Sequence, residues 1–113
     1  MIPKYQQLVE KLQKATENRT ISWERTSSPN EYQTIIGDNS ISIRYHEKLG
    51  FIINPSETTY VALLLWNKQG QNIDEVKEDK GDFDFKLLYN LYESARRASC
   101  NVDETLDEML SQL

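Results

Sequence analysis

The chain has 113 residues, 38% of them hydrophobic and 27% charged, with a net charge of −5. That is one domain's length of chain with enough apolar side chains for a core, which excludes a disordered polypeptide. The acid excess opposes phosphate backbones and anionic bilayers, and the single cysteine, Cys100, leaves no intrachain disulfide.

In chain order, the first element reads as a helix. Tyr5, Leu8, Val9, Leu12 and Ala15 recur at three- and four-residue spacing, and Pro3 suits the first turn. "ENRT" ends it, and the period then changes to two. "ISWER" is a short strand candidate containing Trp23. "SSPNE" is a loop with Pro29 and Asn30 as turn residues. "YQTIIG" is a second strand, and "GDNS" (Gly37 to Ser40) a tight hairpin turn. "ISIRYHE" alternates cleanly: Ile41, Ile43 and Tyr45 share one face, Ser42, Arg44 and His46 the other.

"KLGFIINPSET" is a longer connection broken by Gly50 and Pro55. Next comes "TTYVALLLW", a strand apolar on both faces, with Tyr60, Ala62, Leu64 and Trp66 on one side and Val61, Leu63 and Leu65 on the other. "NKQGQN" turns the chain into "IDEVKE", a charged edge strand. A second helix is expected from about Asp84 to Ser99, with Phe85, Leu88, Leu91, Tyr92, Ala95 and Ala98 as its apolar stripe and Asp82 or Asp84 as its cap. "NVDETLDEMLSQL" is a third helix. Asn101 and Glu104 have capping-box spacing, and Val102, Leu106, Met109, Leu110 and Leu113 form its apolar face.

The expected fold is α+β: an N-terminal helix, an antiparallel meander sheet of four or five strands, and two C-terminal helices, as a two-layer sandwich in a single domain over 1–113. The two-faced strand belongs at the centre of such a sheet. Two helices are needed on one side, so the second face calls for the C-terminal helix, a second copy or a partner. The shortage of helices favours a second copy, a two-fold homodimer burying Val61, Leu63 and Leu65.

Catalytic constellations are sparse. The four glycines are scattered and build no phosphate loop, and "DKGDFD" (Asp79 to Asp84) lacks the spacing of a calcium loop. One histidine, His46, and one cysteine cannot make a typical zinc site. They allow a Cys–His pair on paper, but Cys100 falls at a helix junction where a small side chain packs. Trp23, Trp66, Tyr89 and Tyr92 read as core. The expectation is no catalytic residue, no metal and no cofactor.

The charge is uneven. Residues 1–56 carry 7 basic and 6 acidic side chains, net +1, and residues 57–113 carry 6 and 12, net −6. In the last helix Asp103 and Asp107, and Glu104 and Glu108, stack at four-residue spacing, mildly repulsive pairs that a partner's Lys or Arg would relieve. Arg96 and Arg97 are near enough in sequence to pair with some of them. The residues expected to meet a partner are Val61, Leu63, Leu65, Asp103, Glu104, Asp107 and Glu108. The partner is a protein or a second copy, not nucleic acid and not membrane. "MIPKYQQLVEK" turns polar too soon for a secretory leader, so the expected location is the cytoplasm.

The stretches "LQKATENRTISWERTSSPNEYQT", "NKQGQNIDEV" and "LYESARRASCNVDETLDEML" together resemble a loose group of small uncharacterised bacterial proteins. The resemblance spans most of the chain. It implies a stand-alone bacterial domain and carries no site residues with it. The expected function is a non-catalytic protein-interaction or regulatory domain. The alternative is a small enzyme with a dispersed carboxylate site, to be recognised by a concave pocket lined by shifted acids.

Overall fold

Pro3 opens α1 (Pro3–Glu17), where its missing N–H costs nothing. The helix ends because Arg19 turns left-handed, with φ 59°. The Arg19 amide then donates to the Thr16 carbonyl and the Thr20 amide to the Ala15 carbonyl, which closes the last turn. Thr16 is buried, and its Oγ1 accepts the Trp23 indole N–H at 2.9 Å. That bond fixes the chain as it enters the sheet. "ISWER" yields only a two-residue strand, β1 (Glu24–Arg25), because Trp23 belongs to the core rather than to the ladder.

The computed structural model describes residues 1–49 and 57–113; the expected break at Gly50 and Pro55 lies outside the described residues. Four further strands follow: β2 (Glu31–Ile36), β3 (Asn39–His46), β4 (Tyr60–Trp66) and β5 (Asn72–Asp79). They form one open five-stranded sheet in the order β1-β2-β3-β4-β5, each neighbour antiparallel. Between β2 and β3 the turn is Gly37–Asp38, with Ile36 opposite Asn39. Gly37 has φ 63°, the positive angle that the first position of a II′ hairpin demands. A register shift at Leu65/Trp66 bulges β5 opposite Trp66. The chain closes with α2 (Phe85–Ser99) and α3 (Val102–Gln112). The fold is thus α+β, as the alternation of the strands and the stripes of the helices imply.

All helix cover lies on one face. Ile43 of β3 stands opposite Leu63 of β4, and Leu63 opposite Val76 of β5. Above them Leu88, Leu91 and Ala95 of α2 and Val9 of α1 are completely buried. Val61 and Leu63 are sealed in the same cluster, and Leu65 packs against it half-buried. Each such aliphatic contributes about 1.5–3 kcal/mol on burial. Two α-helices of the same chain therefore cover the row that the sequence assigned to a second copy, and the motive for a dimer through Val61, Leu63 and Leu65 disappears. Nor does the C-terminal helix cover the second face, since no residue of α3 is buried and its contacts are with α2.

The opposite row of β4 has a different answer. Ala62 and Leu64 are buried although no described helix lies over them. Ala62 stands between Arg44 and Lys77 across its two ladders, and long charged side chains lay their methylene stems along apolar neighbours. Lys77 places its ammonium 4.3 Å from the centroid of Tyr60. Trp66 is half-exposed here and donates to Ser42 Oγ at 2.9 Å, so it is not a core residue as the sequence suggested.

Candidate interaction surface

Asn101 decides where α3 goes. It follows α2 in the left-handed region, φ 52°, and its amide closes on the Ala98 carbonyl. Its own carbonyl then accepts the Thr105 amide and starts α3. The expected capping box does not form, because a left-handed backbone uses Asn101 as the stop of α2, and its side chain makes no cap bond. The α2 start is similar. Asp84 makes no cap bond, and Asp82 turns back to accept the Asp79 amide at 2.7 Å. Among the described residues one side-chain tie holds α3 to α2: Arg97 donates to Asp103 at 2.8 Å, with both groups exposed. An exposed pair of this kind contributes about 0–1 kcal/mol.

Beyond that tie α3 stands free. Leu106, Met109 and Leu110 are 48%, 57% and 69% exposed, and Leu113 is fully exposed. These four side chains fall on one stripe at 3- and 4-residue spacing, with half-buried Val102 at its root. At about 100° per residue, Asp103 and Asp107 border the stripe on the Leu110 side. Thr105 and Gln112 border it on the other side, and Glu104 and Glu108 occupy the back. All four acids that the sequence assigned to a partner are exposed and share this one helix, whereas Val61 and Leu63 lie in the core. The exposure of the leucine stripe was not legible. Periodicity shows that a helix has an apolar face and is silent on what that face meets. A weak signal was available in the absence of any Lys or Arg after Arg97.

A concavity adjoins the root of α3. It is an open groove of about 530 Å³ between the C-terminal ends of α1 and α2. Glu17, Arg19, Trp23, Glu24, Arg97 and Glu104 are among its lining residues. Acids and guanidinium groups alternate there, an arrangement suited to polar contact. Glu78, whose carboxyl is raised by burial and by Asp84, Asp82 and Asp79 nearby, lies on β5 outside this groove.

The other chemical candidates are dispersed. Cys100 is exposed at the end of α2, not packed at the junction as expected. His46 lies on the helix-free face, stacked on Tyr60, with Nε2 2.8 Å from Glu57 Oε1. The sheet separates the two, so the Cys–His pair is not formed. Among the described residues no group of three His, Cys, Asp or Glu side chains is placed to hold a metal. Tyr32, Tyr45, Tyr89 and Tyr92 form an aromatic cluster between the sheet and α2, with Tyr45–Tyr92 centroids 5.3 Å apart. Burial pushes the Tyr92 hydroxyl up to about 12 and displaces Tyr32 and Tyr45 in the same direction.

No family model, curated protein or solved structure matches the chain. No described helix is long and apolar enough to cross a membrane.

Proposed function

We propose that the chain is a non-catalytic protein-interaction domain that presents α3 to a partner. The observation that carries this reading is the burial of α3: none of its residues is buried, yet four large apolar side chains are aligned on it. A solvated helix gains nothing from such a stripe, and an amphipathic helix laid into a groove gains most of its affinity from one. The α+β body acts as the rigid mount, and the groove at the root of α3 extends the surface towards α1. The lone cysteine and the resemblance to small bacterial proteins support a place in a reducing bacterial cytoplasm.

The test is a paired capture from native lysate at modest salt, using the wild-type protein and a Leu106→Ser, Leu110→Ser variant. The variant should keep the wild-type circular dichroism spectrum, because both positions are exposed. Proteins held by the wild type should be absent from the variant. Equal capture by both, or none by either in repeated trials, rules out α3 as the docking element.

A further inference from the structure

On the reading that α3 is a docking element, we infer that its occupant is a different protein whose apolar groove or helix face carries Lys or Arg along one side only, the side that meets Leu110. The stripe itself sets the apolar part: Leu106, Met109, Leu110 and Leu113 are all open to solvent. The acids set the polarity. Asp103 and Asp107 line the Leu110 edge, while the opposite edge carries the neutral Thr105 and Gln112. Asp103 is already held by Arg97, and among the described residues Asp107 makes no ion pair. Asp107 is therefore the carboxylate on that edge that a partner's cation would meet. Glu104 and Glu108 point to the back of the helix, where they favour approach of a cationic surface without touching it.

The same charges select against other occupants. Two copies of α3 laid together would bring the Asp103 and Asp107 rims of both, four carboxylates, to one contact, with no Lys or Arg after Arg97 to offset them. Like charges so placed are destabilising. An anionic membrane surface repels the helix for the same reason. A protein with a one-sided basic rim buries the stripe and neutralises Asp107 together.

A designed peptide tests this without a known partner. The probe is an amphipathic helix of about 18 residues, long enough to hold a helix, with leucine on one face and lysine beside it. Its control carries glutamate in place of lysine. Binding to the full chain is followed by methyl NMR at about 0.15 M salt, where the Debye length is about 8 Å. The lysine peptide should shift the methyl signals of Leu106, Met109, Leu110 and Leu113, and the glutamate peptide should not. Asp107→Asn should weaken binding roughly two- to fivefold, the range of an exposed ion pair. Glu108→Gln, on the back, should change it by less than about 1.5-fold through screened charge alone.

Equal binding of the two peptides overturns the inference about charge and leaves the docking helix standing. No α3 response to either peptide overturns both. Equal loss at Asp107 and Glu108 shows that the rim is not one-sided and overturns the geometry. Self-association through α3 at tens of micromolar, or stronger binding to phosphatidylcholine vesicles than to the lysine peptide, replaces the occupant and overturns the inference.

Discussion

At the scale of single residues, the clearest electrostatic tie joins α1 to the last strand. Tyr5 donates its hydroxyl to Asp74 Oδ2. Burial first, then the bond and charge of Asp74, push the Tyr5 hydroxyl from 10.0 up to about 12. The same bond, with the Glu75 amide, holds the Asp74 carboxyl below its ordinary range. The two shifts act at opposite ends of the pH scale. The folded pKa of Tyr5 lies above its unfolded value, so its contribution is whole below about pH 10 and is lost as the pH rises towards 12. The folded pKa of Asp74 is depressed, so its contribution is whole above the ordinary carboxylate range and is lost as the pH falls through the lowered value. Alkaline difference spectroscopy should therefore show Tyr5 and Tyr92 ionising last, near pH 12. In Asp74→Asn, Tyr5 loses a charged acceptor and should move back towards 10, leaving Tyr92 late. An unchanged late phase in that variant would falsify the coupling.

At the scale of elements, β4 and α3 illustrate how far a pattern in sequence reaches. The alternation in "ISIRYHE" names the two faces of β3, because a strand must put successive side chains on opposite sides. It places Ile41 and Ile43 in the core correctly. The apolar run "YVALLLW" names β4 as central; it is an inner strand, flanked by β3 and the edge strand β5, while β3 is the middle of the five. What the run does not name is the cover. Val61 and Leu63 meet α2 and α1, while Ala62 and Leu64 are sheltered on a face that carries no helix, and nothing in the run tells the rows apart. The capping box at Asn101 fails for a related reason. Asn is a good cap and also a residue that tolerates a left-handed backbone, and the ending of α2 selects the second property. These positions lead to opposite mutational outcomes. Leu63→Ala opens a cavity in a sealed core and should cost about 2–5 kcal/mol in denaturant unfolding. Leu110→Ser lies on α3 and should stay within about 0.5 kcal/mol of wild type. A Leu110→Ser protein destabilised as much as Leu63→Ala would mean that α3 packs on its own chain.

At the scale of the whole molecule, the free helix shows in the dimensions. A compact chain of this length has a radius of gyration of about 13 Å. The observed Cα value is 15.4 Å, with extents of 47 × 39 × 27 Å. An open sheet bare of helices on one face and a terminal helix standing away from the body both enlarge it. Folding α3 back over the helix-free face, through Leu106, Met109 and Leu110, would shorten the molecule and bury the stripe. Several terms oppose that closure. Glu31, Arg44, Glu75 and Lys77 lie on that face, Glu31 already paired with Arg44, and the leucine stripe would have to desolvate these charged groups. The Arg97–Asp103 pair and the left-handed Asn101 hold the present direction. Small-angle scattering of the monomer, its mass checked at 13.2 kDa by sedimentation, should give a radius near 15 Å. Breaking the tie with Arg97→Ala should leave that value unchanged, since an exposed ion pair is worth about 0–1 kcal/mol and closure would still desolvate the charged groups of that face. A wild-type radius near 13 Å would show α3 docked on the body. The leucine stripe would then complete the chain's own second layer, and the docking helix would be lost as an explanation of its exposure.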